Sequence, residues 1–148
     1  MGMFDSLRIA ASGMAAERLR MDVTSANLAN ANTTRGANGQ PYQRQEVVLQ
    51  AADGSSFGGV LAGVQSSQST QSPQGVQVAG IVGDPTPGRR VYDPGHPDAD
   101  AQGYVTLPNV NSVTEMTDLI TETRSYQANT QALQMAKSLY QKTFEVLK

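Results

Sequence analysis

All seven prolines and twelve of the fourteen glycines fall between residues 33 and 111. The 32 residues before that stretch hold no proline and only Gly2 and Gly13, while residues 112–148 hold neither type. Proline lacks a backbone N–H and clashes with the turn before it, and glycine carries the largest backbone entropy. Helix interiors therefore avoid both. The partition predicts two long terminal helices, 1–32 and 112–148, around a turn-rich and partly β middle, 33–111. At 148 residues the chain has the length of one domain.

Side-chain spacing supports helices at both ends. In the first zone Phe4, Leu7, Ala11, Met14, Arg18, Met21, Ser25 and Leu28 recur at alternating intervals of three and four. That is a heptad-type stripe, in which Arg18 can lay its aliphatic stem along the seam. The helix is expected to stop near Asn30 or Asn32, because asparagine tolerates left-handed cap geometry. The last zone opens on Ser112-Val-Thr-Glu115, a capping-box pattern. Met116, Leu119, Thr123, Tyr126, Thr130, Leu133, Lys137, Tyr140, Phe144 and Leu147 then keep the same spacing. A second line, Ala128, Ala132, Met135, Leu139 and Val146, runs beside it.

Two apolar lines on one helix call for more than one neighbour. If the two helices only paired with each other, the second line would face water, and sizeable exposed apolar patches mark interfaces. The charges allow such contacts. Arg8, Arg18 and Arg20 balance Asp5, Glu17 and Asp22 in the first zone, and residues 112–148 carry four charges of each sign. Glu115, Asp118 and Glu122 lie early in the last zone and Lys137, Lys142 and Lys148 late, an order that complements the helix dipole.

In the middle, Glu46–Gln50, Val60–Val64, Val76–Val82 and Tyr104–Leu107 read as short strands. Gln65–Gly75 contains no apolar side chain and cannot offset its ordering entropy by burial, so a flexible loop, or one that a partner orders, is expected there. Asp84–Gly88 and Asp93–Pro97 are turns by composition. The pair Arg89-Arg90 reads as solvated.

Composition narrows the chemistry. Hydrophobic residues make up 39% and aromatics 5%, which predicts a thin core or burial against partners. The net charge of −2 gives no electrostatic grip on a phosphate backbone, so no nucleic-acid partner is expected. With no cysteine and one histidine, disulfides, thiolate catalysis and multi-histidine metal sites are excluded. His96 sits in Pro94-Gly95-His96-Pro97, a rigid turn rather than a catalytic scaffold. Asp93, His96, Asp98 and Asp100 lack the terminal bidentate acid of a calcium loop, and Asp98-Ala-Asp100 reads as turn-capping. No phosphate-cradling glycine motif occurs. The reading is of a non-enzyme without cofactor or metal. No stretch reaches the length of a membrane span, and the N-terminus lacks the order of a cleavable signal peptide.

Three stretches carry a family resemblance. Ser25-Ala-Asn27-Leu-Ala-Asn30-Ala-Asn32-Thr is similar to the signature closing the N-terminal helix of bacterial flagellar rod and hook proteins. Tyr92-Asp-Pro94-Gly95-His96-Pro97-Asp98-Ala-Asp100, with Gly103-Tyr104-Val105 and Pro108-Asn109-Val-Asn111, resembles the proximal-rod branch of that family. Arg124-Ser125-Tyr126-Gln127-Ala128-Asn129 resembles its C-terminal helix. The likeness implies a mainly α fold with a small β-rich insert, whose terminal helices pair as a coiled coil in a helical assembly.

It further implies a structural subunit of the flagellar basal-body rod, located in the periplasm, that transmits torque from the membrane ring to the distal rod and hook. Its partners would be copies of itself, other rod subunits, the membrane ring and the export apparatus. The subunit-contact candidates are Phe4, Leu7, Met14, Met21 and Leu28 on the first helix. On the last they are Met116, Leu119, Tyr126, Leu133, Met135, Leu139, Tyr140, Phe144 and Leu147. Asn27 and Asn30 count among the contact candidates too and would satisfy backbone groups at the helix exit, and the PGHPDAD turn would form a corner before the last helix. A monomeric export adaptor, with the same two helices and β insert, is the alternative.

Overall fold

The computed structural model describes residues 3–36, 38–52 and 75–146. The elements run α1 (Met3–Ala29), β1 (Gln45–Ala51), β2 (Val76–Gly83), β3 (Arg90–Tyr92), β4 (Tyr104–Thr106) and α2 (Ser112–Val146). The expected strand Val60–Val64 and the loop Gln65–Gly75, apart from Gly75 itself, lie outside the described residues.

The two helices run antiparallel and meet along much of their length. Asn27 meets Glu115, Thr24 meets Glu122, Met21 meets Thr123 and Met14 meets Thr130, so ascending positions on one helix face descending positions on the other. The line of deepest burial on α1 is Ala10, Ala16, Val23, Thr24 and Asn27. Gly13 lies on the same line, where an added Cβ would stand 2.9 Å from Nδ2 of Asn129. This line runs one to two residues earlier than the heptad stripe, whose Ala11, Arg18 and Ser25 are exposed. Small side chains let helix axes approach, so the alanines and Gly13 take the centre. Leu7, Met14, Met21 and Leu28 flank it, half-buried. Arg18 does not lie along the seam.

β1 and β2 form one antiparallel ribbon, with Gln45 opposite Gly83, Ala51 opposite Val76 and a shift in register between Val48 and Leu49. Ser12 on α1 ties down its far end: its Oγ donates to the carbonyl of Ile9 at 2.8 Å and accepts the N–H of Val76 at 3.1 Å. β3 and β4 form a second ribbon, with Val91 opposite Val105. β3 was not legible in the sequence. Arg90, read there as solvated, lies in that strand, its guanidinium 4.9 Å from the Tyr104 ring centroid and 2.5 Å from Asp100 Oδ2. An extended backbone sets Arg90 beside the aromatic face and the carboxylate together.

Apolar burial is sparse. Ala10, Ala16, Val23 and Val105 are the buried hydrophobic residues among those described. The chain after β2 passes so close to β4 that a Cβ on Gly88 would strike the carbonyl oxygen of Leu107. That obstacle is backbone and cannot rotate away. Gly88→Ala is expected to lower unfolding stability by about 1–3 kcal/mol, read as a lower urea midpoint.

Candidate functional site

Asn27 sits in the last turns of α1 and is 1% exposed. Its Nδ2 donates to the carbonyl of Gln45 at 2.8 Å and to Oε2 of Glu115 at 3.0 Å. Its Oδ1 accepts the hydroxyl of Tyr42 at 2.9 Å and the N–H of Gln45 at 3.0 Å. Two donors and two acceptor sites are the whole capacity of an asparagine amide, so one side chain joins α1, β1 and α2 with nothing left over. Against Gln45 it pairs as a neighbouring strand's peptide group would. The sequence-based role of Asn27, capping the helix exit, is corrected by this geometry. The exit belongs to Asn30, whose Nδ2 donates to the carbonyl of Ala26 at 2.9 Å. Asn30 does so without a left-handed backbone, since no non-glycine residue among those described has positive φ.

Glu115, also 1% exposed, accepts Nε of Arg44 on its other oxygen at 2.6 Å. Arg44 is then fixed from several sides. Its N–H donates to Oδ1 of Asn109 at 2.8 Å, its carbonyl accepts the N–H of Asp84 at 2.8 Å, and its guanidinium reaches Asp118 at 3.7 Å. The Glu115 hydrogen bond holds the Arg44 pKa above the ordinary guanidinium value, against the opposing effect of burial. Burial, with the nearby Glu115 charge, raises that of Tyr42.

The capping box read in Ser112–Glu115 is overturned. Asn111 caps α2, its Oδ1 accepting the N–H groups of Val113 at 3.0 Å and Thr114 at 3.4 Å. The Glu115 carboxylate turns inward instead, because a buried charge needs a paired cation and Arg44 stands there. Glu115 and Glu122 therefore serve the seam between the helices rather than only the dipole at its exposed start.

Two turns further along α2, Glu122 is 3% exposed. One oxygen accepts Oγ1 of Thr24 at 3.1 Å and lies 3.5 Å from Nε of Arg20. The other is buried without a hydrogen-bond partner. Desolvation raises the Glu122 pKa, with Glu17 and Asp118 adding to the rise; the Thr24 hydrogen bond and the Arg20 charge oppose it. Above this carboxyl lies a cleft of about 380 Å³ between α1, α2 and β1, lined among others by Arg20, Arg44, Glu46, Asp118 and Glu122.

The PGHPDAD turn is a hinge-pin of a different kind. Asp98 accepts Oγ1 of Thr34 at 2.8 Å and lies 3.6 Å from Arg35, so the turn docks on the segment after α1. Of the two acids read as turn caps, Asp100 does cap, accepting the N–H groups of Gln102 at 2.9 Å and Tyr104 at 2.8 Å; Asp98 does not. Hydrogen bonds, the Tyr104 N–H foremost, hold Asp100 below the usual carboxylate range. His96 Nδ1 accepts the N–H of Asp98 at 3.1 Å, a bond internal to the turn. His96 and Asp100 thus hold the turn's shape, and the Asp98 carboxylate docks it on the segment after α1.

The contact candidates read from the sequence divide by place. Leu119, Tyr126 and Leu133 join Leu7, Met14, Met21 and Leu28 as half-buried flanks of the seam. Met116, Met135, Leu139 and Tyr140 are exposed. The side chains of Phe4 and Phe144, and Leu147 altogether, lie outside the described residues. Val113 and Ile120 are exposed too, and at 3.6 residues per turn they share a face with Met116, Arg124, Ala128, Met135 and Leu139. That face is turned away from Glu115, Glu122 and Leu133. Arg44, Tyr42, Glu115 and Thr24 were not singled out as site residues; they stand 15 to 98 positions from their partners, and no local pattern signals such pairs.

Comparison with known proteins agrees with this division into terminal helices. Residues 7–38 match the family model of the flagella basal body rod protein. Residues 101–146 match that of the flagellar basal body rod FlgEFG protein C-terminal region. The chain is 46% identical over 147 residues to the flagellar basal-body rod protein FlgC of Bacillus subtilis, covering 97% of each chain. It is 41% identical to the protein of that name from Yersinia enterocolitica, over 97% of this chain and 96% of the relative. With the Aquifex aeolicus protein of that name the identity is 37%, over 100% and 99%.

Two measurements test the buried node. Asn27→Leu keeps the volume but strands Gln45, Tyr42 and one Glu115 oxygen, and is expected to cost about 3–5 kcal/mol in urea unfolding. Glu122→Gln is expected to stabilise the chain at neutral pH by about 1 kcal/mol. The sign follows from the raised pKa: the fold prefers the protonated carboxyl, so that stability is complete below the unfolded value near about 4.3. It is lost as pH rises through the folded value. The variant's advantage should therefore shrink toward acid pH, which parallel unfolding curves would read.

Proposed function

This chain belongs to the family of the flagellar basal-body rod protein FlgC, and from that premise we propose that it polymerises helically into the proximal part of the rod. Its role is that of a structural subunit of the flagellar basal body. In this reading the rod stands in the periplasm and carries torque from the membrane ring toward the distal rod and hook. The subunits reach it through the flagellar export apparatus and contact copies of themselves and other rod proteins.

The single observation that carries the polymer reading is the outward face of α2. Met135 is 62% exposed and Leu139 63%, and Val113, Met116 and Ile120 continue the exposure toward the helix start. Water contact with so many large apolar groups is unfavourable. Burying each such side chain against a neighbour contributes roughly 1.5–3 kcal/mol, less what is lost in ordering the chain. The helices of adjacent subunits would then form the coiled-coil wall. No described helix is long and apolar enough to cross a membrane.

Met135→Asp tests this directly, because the residue lies outside the chain's own packing. The variant is expected to keep the parent's unfolding stability within about 0.5 kcal/mol. In a flagellated host lacking its own copy it is expected to leave cells non-motile, with basal bodies that lack rods. Normal swimming and intact rods would count against assembly through this face.

A further inference from the structure

We propose that Arg124 of one copy enters the cleft between α1, α2 and β1 of the next copy and pairs there with Asp118, above Glu122. The proposal rests on the rod reading and names the partner for one spot on each surface.

Arg124 occupies the middle of the outward face of α2, in line with Met116 and Ile120 on one side and Ala128, Met135 and Leu139 on the other. It is exposed and has no ion-pair partner among the described residues. An arginine in the centre of a face that becomes buried needs an acid there, because an unpaired charge taken out of water is strongly unfavourable. Among the described residues of α2 the acid that shares this face is Glu145, 21 positions on and about 31 Å away along the helix, so the acid that meets Arg124 has to come from the neighbour.

The cleft holds the complementary need. Among its lining residues, Arg20 and Arg44 face Glu46, Asp118 and Glu122, two cations against three anions. Both arginines make their shortest ion pairs with acids outside that set, Arg44 with Glu115 at 2.6 Å and Arg20 with Glu17 at 3.3 Å, and reach the cleft's acids only at 3.5–3.8 Å. Asp118 has only a 3.7 Å approach to Arg44, and Glu122 keeps one buried oxygen without a partner. A guanidinium arriving from outside can form paired hydrogen bonds with the Asp118 carboxylate and offset the charge on the floor. Arg124 and the cleft lie on different faces of α2, so the contact joins unlike surfaces. Such a contact does not close on itself in a pair; it continues from copy to copy, into a helical filament where the rotation does not close a ring.

The chain has no cysteine, which makes the test clean. Arg124→Cys and Asp118→Cys together place two thiols six residues apart on one helix, about 9 Å of rise. That exceeds the roughly 7 Å Cα separation a disulfide can span, so any disulfide formed joins two copies. Mild oxidation of isolated basal bodies is expected to give a ladder on a non-reducing gel that reductant collapses, whereas Arg18→Cys with Asp118→Cys gives none. Assembled rods without the ladder, or with it only in the Arg18 pair, would overturn the contact while leaving the rod reading intact. Where the thiol pair does not assemble, Arg124→Asp is expected to reduce swimming about tenfold, and adding Asp118→Arg to restore it. Failure of that restoration also overturns the contact. Glu122→Gln supplies a readout that a purely structural role would not move: a more stable chain with fewer assembled rods, an unchanged rod yield standing against the proposal. Failure of the rod reading itself shows separately, as normal swimming by Met135→Asp.

Discussion

The carboxamide of Asn27 is the point on which three elements depend. It fills its four hydrogen-bonding positions with Gln45 twice, Tyr42 and Glu115, and through Glu115 it reaches Arg44. Apolar contacts can slide by a fraction of a turn with little change in energy. A saturated amide cannot, because each displacement leaves a buried donor or acceptor unpaired. The register of α1 against α2, and the place where β1 leaves α1, are set there.

That arrangement explains how a chain with so few buried hydrophobic residues keeps a defined helix pair. One half of the seam is made of Ala10, Gly13 and Ala16, small enough for close approach, and the other of Thr24, Asn27, Glu115 and Glu122 joined by hydrogen bonds. Because the centre of the pairing is made by small and polar residues, Leu119, Tyr126 and Leu133 only flank it, and Val113, Met116, Ile120, Met135 and Leu139 are left on the outer side of α2. The same partition that thins the internal core supplies the surface that a polymer needs.

Much of the architecture was legible in the sequence because its signals are local. Keeping proline out of both ends and crowding it, with twelve of the fourteen glycines, into the middle marks two helices, and alternation marks β2. The turn character of residues 93–100 follows from Pro94, Gly95 and Pro97. Signals that depend on distant partners were misread or unseen. Ser112–Glu115 has the letters of a capping box, yet Glu115 turns to Arg44, since a buried ion pair outweighs a cap that Asn111 supplies anyway. Arg90 is exposed, as its sequence reading has it, but the partners that β3 gives it, Tyr104 and Asp100, carry no local signal. The heptad stripe has helical spacing, but the deepest line lies one to two residues earlier, because spacing weighs apolar character and packing also weighs size.

The sequence by itself therefore determined the helices, the turns, the exclusion of cysteine chemistry and the likeness to flagellar rod proteins, all of which follow from residue identity and short-range geometry. Only the tertiary structure decided which side of each helix faces its partner, that Asn27 and Glu115 form the buried node, and that Glu122 lies buried beneath a cleft. Those outcomes turn on pairs up to 98 positions apart, and whether a polar group is satisfied depends on what the fold brings to it, not on its neighbours along the chain.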